Sequence, residues 1–313
     1  MTRRRIILIG AVAAIAAFSE AASAQPPQSS FLIREGYVRS QGARLYYKTM
    51  GSGPPLLVVH GGPGLSHHYF LPHLAQLAEH RTLIFFDQRA HGRSSVPRDS
   101  SVMRLDNFIR DIETIRTRLN LGKVNLMGHS WGALVTMFYA LRFPQNLESL
   151  ILASPAGART ADLAAGGAVQ QSRITREDSL ERAEIMQTDG FKRRTPGGMD
   201  RFFRNVFKSS FADRTYADSL FLFFPDDYAA RGKMLNYLAP DLRDYDLYAT
   251  LGTLNVRTLI IHGAGDATPQ QIVEELRRAF RNSELVILKN SGHFPFIEQK
   301  QEFLKIIGDF LEK

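Results

Sequence analysis

Short, mainly apolar runs alternate along this chain with longer amphipathic stretches. Residues 56–59, 82–86, 123–127 and 147–153 are dominated by Leu, Ile, Val, Met and Phe. Runs of that length suit strands buried on both faces. Between them, residues 67–79, 105–119 and 133–143 have the apolar density of helices; in 105–119, Leu105, Phe108, Ile109, Ile112, Ile115 and Leu119 fall on one side. Upstream, apolar and polar residues alternate over 31–50 about Gly42, which predicts a β-hairpin. The rhythm stops after Ser154. Residues 155–250 are rich in charge and aromatics, and Gly166-Gly167 and Thr195-Pro196-Gly197-Gly198 are expected to break them into short helical pieces. From Val256 the alternation resumes, with strands predicted over 257–261 and 285–288 and helices over 269–280 and 296–311. Strands alternating with helices require a mostly parallel central sheet flanked by helices. The expected organisation is an α/β core from 25–154 and 251–313, with 155–250 inserted as a mainly helical cap.

The first residues change the picture of where the protein acts. Arg3, Arg4 and Arg5 precede an apolar run over 6–18, and Ala22-Ser23-Ala24 offers a small-x-small cleavage site. That is the pattern of a signal peptide over 1–24, cut after Ala24, with the mature protein periplasmic or secreted and not stably membrane-associated. Thr2-Arg3-Arg4 also resembles a twin-arginine signal, so both export routes stay open. Residues 25–30 read as a Pro/Gln/Ser linker. The net charge of +8 falls slightly once the leader's arginines go, and the remaining basic residues form no aromatic-interleaved stripe, which argues against a nucleic-acid partner. The chain has no cysteine, which excludes disulfides and thiol catalysis.

Candidate chemistry gathers in the loops that follow the predicted strands. Gly128-His129-Ser130-Trp131-Gly132 lies between a strand and a helix, the context of a nucleophile elbow. A serine hydroxyl attacks only when a histidine takes its proton and an acid orients that histidine. Asp266 and His293 each follow a predicted strand, giving the chain order Ser130, Asp266, His293. The attacked carbonyl needs two fixed N–H donors. Trp131, next to the nucleophile, and Gly62, in the loop His60-Gly61-Gly62-Pro63-Gly64, are the candidates for this oxyanion hole. That loop lacks both the Lys-Ser/Thr of a phosphate cradle and the spacing of a dinucleotide site, so no cofactor is expected. His60, His67, His68 and His73 carry no carboxylate-bearing ligand motif, so no metal is expected either.

These residues resemble a known family. The chain looks like an α/β-hydrolase, and within that fold like the proline iminopeptidases. His60 to Gly64 matches that group's HGGPG motif. Asp87-Gln88-Arg89 with Gly92-Arg93-Ser94 is similar to its DQRGxGRS loop, and Gly128 to Gly132 to its GGSWG elbow. Two positions depart: Ala90 stands for the usual glycine, and His129 for the glycine of the elbow. The resemblance implies an α/β-hydrolase fold and release of N-terminal residues from short peptides by a Ser-His-Asp triad. It also implies cap carboxylates that hold the substrate's free amine. Glu177, Glu181 and Glu184, with Asp178 among them, are the candidate counterparts. The alternative is an esterase or lactonase acting on small carboxylic esters through the same triad. A non-catalytic binding protein is disfavoured, because every triad and oxyanion position is filled.

Overall fold

The computed structural model describes residues 31–313. The expected signal segment and linker lie outside the described residues. Strands β1 (Ile33–Ser40) and β2 (Ala43–Met50) form the expected hairpin. Gln41 and Gly42 at its tip have φ of 39° and 79°, the left-handed pair that matches a two-residue turn to the strand twist. Six strands follow: β3 (Pro55–Val59), β4 (Thr82–Phe86), β5 (Val124–His129), β6 (Leu147–Ala153), β7 (Arg257–Gly263) and β8 (Ser283–Leu288). They make one sheet of order β1-β2-β4-β3-β5-β6-β7-β8. Strand β2 is antiparallel to both neighbours, and every pair from β4–β3 onward is parallel.

The two-residue period of a strand sends alternate side chains to opposite faces. Leu57, Val59, Leu126, Leu150 and Leu152 enter one core with helices α1 (Leu105–Arg118) and α2 (Trp131–Arg142). Leu56, Val58, Met127, Ile151 and Ala153 enter the other, with Phe70, Phe296, Phe303 and Ile307. Between β6 and β7 the longer elements are helices: α3 (Thr160–Ser172), α4 (Arg176–Gln187), α5 (Pro196–Phe207) and α6 (Tyr228–Leu235). Helices α7 (Gln270–Ala279) and α8 (Lys300–Glu312) complete the second half of the core.

Three expectations are corrected. Residues 67–79 are not one helix but three short turns, His67–Phe70, Leu71–Leu74 and Ala75–Glu79. Pro72 lacks an N–H and crowds the preceding turn, which breaks continuity. Gly166-Gly167 does not break the cap; it sits inside α3. At Thr195-Pro196 the expected break between helical pieces does occur, and the pair starts the next helix: Thr195 Oγ1 accepts the Gly198 N–H, and Pro196 takes the first turn where no N–H is required. Gly198 is glycine because a Cβ there would sit 2.2 Å from the Gly190 carbonyl carbon. The last predicted helix is two, Pro295–Glu298 and α8, divided at Gln299.

The loop after β4 is anchored by a buried ion pair. Arg89 donates from Nε to Asp111 Oδ2 at 2.8 Å and from Nη2 to Oδ1 at 2.6 Å, and both side chains are fully buried. Its other hydrogens go to the carbonyls of Gln41, Val102 and Asn107, so one guanidinium ties the hairpin tip to α1. Asp111→Ala would leave that cation buried without its counter-charge, and the expected loss of stability is about 3–5 kcal/mol in urea unfolding. Asp309→Ala, at the solvent-exposed Lys305–Asp309 pair, should leave the midpoint unchanged. Equal effects of the two changes would contradict the assignment of Arg89–Asp111 as the anchor.

Candidate active site

The elbow is built by close approach. Ser130 follows β5 with φ 55° and ψ −120°, a strained conformation for a residue with a side chain. A Cβ on Gly128 would lie 2.5 Å from the Gly132 carbonyl oxygen, and one on Gly132 would lie 2.3 Å from that of Val59. Only glycine fits either place. The strain lifts the Ser130 hydroxyl off the sheet, and helix α2 begins at the next residue.

His293 and Asp266 come to meet it. The Ser130 hydroxyl is 2.9 Å from His293 Nε2, and His293 Nδ1 is 2.9 Å from Asp266 Oδ2. The carboxylate selects the tautomer: Nδ1–H donates to Asp266, which leaves the Nε2 lone pair for the serine proton. Asp266 Oδ1 accepts the Thr268 N–H at 3.0 Å. Burial opposes ionisation of Asp266, but His293, His262 and the Thr268 N–H together outweigh it and hold the carboxyl well below the usual range. Burial likewise lowers His293, while the Asp266 charge and hydrogen bond carry it above an ordinary histidine. The His293 backbone is held too, its N–H donating to the Ser210 carbonyl at 2.7 Å. The preceding Gly292 N–H donates to buried Glu298 at 2.6 Å.

The oxyanion candidates flank the serine. The Trp131 N–H opens helix α2, where a helix leaves its first donors unpaired. Gly62 lines both cavities beside Ser130, and its φ of 129° belongs to the region that glycine alone enters readily. The loop bearing it is braced from β4. Gln88 Oε1 accepts the Trp131 indole N–H at 2.9 Å, and Gln88 Nε2 donates to the His60 carbonyl at 2.7 Å. The sequence marked Gln88 only as part of a motif; this bridge is its work. One cavity, of about 220 Å³, is apolar, with Pro63, Leu65, Phe203, Val206, Phe207 and Phe294 among its lining. The other, of about 260 Å³, is more polar and includes Asp162, Gln170, Ser210 and Thr268. Those lining residues were invisible in sequence, since aromatics in a helical insertion look like core.

The cap acids do not reach the site. Glu177 and Glu184 are exposed on α4, and neither lines a cavity beside Ser130. Glu181 is partly exposed and paired with Lys208 and Asn205. Asp178 caps α4 and pairs with Arg214. The α4 acids thus serve the cap's own helix start and ion pairs. Of the expected metal-poor histidines, His67 and His68 do find a carboxylate, in Asp87, with potential ligand atoms within 4.8 Å. Asp87 is already occupied. Oδ1 accepts the backbone N–H and Nδ1–H of His67, and Oδ2 accepts the Arg93 N–H, so the cluster acts as a staple between two loops.

Residues 54–300 match the alpha/beta hydrolase fold family. A proline iminopeptidase of Heyndrickxia coagulans is 28% identical over 291 residues, covering 90% of this chain and 99% of that protein. Among solved structures, a proline iminopeptidase of Mycobacterium smegmatis aligns with a TM-score of 0.65 at 18% identity, over 89% of this chain and 98% of its own. An esterase of Exiguobacterium antarcticum aligns with a TM-score of 0.64 at 23% identity, over 88% and 99%. At such identities the structural likenesses speak for the fold alone.

Burial around the site makes the protein acid-sensitive. His60, His91 and His129 are enclosed, and burial pushes them down to about 4, about 3 and about 3. Each depressed imidazole contributes stability that is complete above its unfolded value near 6.5 and is lost as pH falls towards its folded value. At pH 4.5, between the folded and unfolded values, each carries a penalty on the order of 2 kcal/mol. His293, raised, works in the opposite sense. Asp87 and Asp266 lose their contribution only below about 4, at more acid pH. Unfolding at pH 7.5 and 4.5 should show a marked loss at the lower pH; equal stability would refute neutral burial.

Proposed function

The chain belongs to the alpha/beta hydrolase fold family, and within it we propose a serine aminopeptidase of the proline iminopeptidase kind, exported and acting on short peptides. The observation that carries the catalytic part is the pair of 2.9 Å hydrogen bonds linking Ser130, His293 and Asp266 at the mouth of an apolar cavity. Ser130 Oγ attacks the acyl carbon while His293 Nε2 takes its proton. The oxyanion accepts hydrogen bonds from the Gly62 and Trp131 N–H groups. His293 then gives the proton to the leaving amine, and the same ring activates the water that releases the acyl group. The compact apolar cavity suits a pyrrolidine ring, and the near full-length likeness to a curated proline iminopeptidase supports that substrate class.

A specific observation favours a second reading, hydrolysis of small neutral esters. The carboxylates lining the two cavities are Asp266, engaged with His293, and Asp162. Asp162 already accepts from the Ala158 and Arg159 N–H groups, the Arg159 guanidinium and the Tyr248 hydroxyl. A substrate ammonium buried there would lack a free counter-charge, at a cost of several kcal/mol.

Two measurements decide. Ser130→Ala should abolish turnover and fluorophosphonate labelling while leaving the circular dichroism unchanged, and Asp266→Asn should lower kcat at least about 10³-fold. Labelling that persists in Ser130→Ala would move the nucleophile elsewhere. Parallel assays on proline p-nitroanilide, its N-acetyl derivative and p-nitrophenyl butyrate test the substrate. The aminopeptidase reading expects the free-amine compound to lead; turnover of the ester with equal indifference to both anilides would replace it with the esterase reading.

A further inference from the structure

His129, the elbow's departure from glycine, sits at the middle of a hydrogen-bonded chain that joins three loops. The Gly61 N–H donates to the Tyr69 oxygen at 2.5 Å. Tyr69 Oη is 2.9 Å from His129 Nδ1, and His129 Nε2 is 2.8 Å from the backbone carbonyl of His293. A carbonyl only accepts, so Nε2 carries the proton and donates to it. Nδ1 is then a bare lone pair and takes the Tyr69 hydroxyl proton, while the Tyr69 oxygen stays free to accept from Gly61. Every donor and acceptor along the path has one assignment. Both residues are about 1% exposed and packed among Phe70, Phe294 and Phe296, with an edge of His129 bordering the apolar cavity beside Ser130.

The ends of the chain matter for catalysis. Gly61 precedes the oxyanion candidate Gly62, and the far end is the main chain of the catalytic base. His293 is gripped at its N–H by Ser210 from the cap and at its C=O by His129 from the core. We infer that His129 is a positioning residue, a strut that fixes the spacing between the oxyanion loop and the His293 main chain across the nucleophile. The inference rests on the Ser130, His293 and Asp266 reading above, but not on the choice between peptide and ester. The strut works only with a neutral ring, because a protonated His129 would present two donors and force the Tyr69 hydrogen away.

Separate variants preserve each half of the strut. His129→Gln keeps an N–H near the Nε2 position, within reach of the His293 carbonyl. His129→Asn keeps an acceptor near Nδ1 for Tyr69 but falls short of that carbonyl. Assayed with p-nitrophenyl butyrate or whichever anilide the wild type turns over, His129→Asn should lose about 10–100-fold in kcat with KM within about twofold. It should also move the acid limb of the kcat/KM profile to lower pH, because a loosened His293 gives up part of its contact with Asp266. His129→Gln should restore the wild-type limb and lose no more kcat than Tyr69→Phe, well short of the loss in His129→Asn. Tyr69→Phe should lower kcat without moving the limb, since it frees the oxyanion loop and leaves the base held. A general packing role predicts equal damage from Gln and Asn with the limb unmoved, and that result overturns the strut. Should both variants fail to fold, nitrogen NMR of the wild type still tests it: His129 must be neutral with its proton on Nε2 at pH 5, and a charged or Nδ1-protonated ring refutes the proposal. Activity surviving Ser130→Ala would instead overturn the underlying triad, so the two failures are distinguishable.

Discussion

The turn at Ser130 is the constraint on which the site depends. Holding a residue with a side chain at φ 55° costs of order 1–3 kcal/mol, and the surroundings must make any other path worse. They do so by contact. β5 is buried between β3 and β6, and Gly132 is pressed against the end of β3, its missing Cβ leaving room for the Val59 carbonyl. That closeness has a second effect. The loop His60–Gly64 leaves β3 at the same point, so the start of α2 and the glycine loop are forced together. The two N–H groups assigned to the oxyanion come from strands adjacent in space and distant in sequence, and one small residue sets the distance between them.

Around this turn the protein buries ionisable side chains at a density a core seldom tolerates. Two carboxylates, Asp87 and Asp266, are wholly enclosed, and each is held ionised by an adjacent histidine. Other histidines are neutral and serve as two-ended connectors. His60 accepts the Gln88 N–H at one nitrogen and donates to the Gly61 carbonyl at the other; His129 spans Tyr69 and His293 in the same way. A neutral imidazole has one donor and one acceptor on opposite sides of a rigid ring, which fits the gap between loops carrying orphaned main-chain groups. Such links are strong while dry and neutral. They fail together when protons are abundant, which joins the catalytic geometry to the pH range of stability.

Much of this was legible from the chain, for identifiable reasons. A buried strand such as β3 or β6 leaves an apolar run, a nucleophile elbow leaves two glycines about a serine, and loops at strand ends are where Asp266 and His293 had to lie. Legibility failed where structure is set by contacts between distant segments. Gly166-Gly167 reads as a breaker, yet α3 runs through it from a start held by Asp162, which accepts the Ala158 and Arg159 N–H groups. The α4 acids read as an amine site because charge density is visible in sequence while its partners, Arg214 and Lys208, are not. His129 and Gln88 were visible as letters in motifs; their partners were not, since Tyr69 and Trp131 lie about 60 and 40 residues away and no periodicity connects them.

What the cap leaves open around Ser130 bears on the substrate more than the fold does. In the proposed mechanism the core carries out acyl transfer at a carbonyl placed between His293 and the oxyanion donors, and selection would fall to α3 and α5, which supply Gln170, Phe203, Val206 and Phe207. An ammonium entering that cavity would meet aromatic faces and one amide side chain. A favourable cation–π contact returns about 2 kcal/mol, against several for desolvating an unpaired charge, so aromatic faces alone do not balance the account. A free-amine substrate therefore requires the amine to bind uncharged, or the cap to bring a carboxylate inward from its present partner. Glu181 would have to leave both Lys208 and Asn205 to do so. A neutral acyl group needs neither step. On the proposed reading the chemistry belongs to the sheet and its loops, and the choice between a free-amine and a neutral acyl group to the lining that the cap supplies.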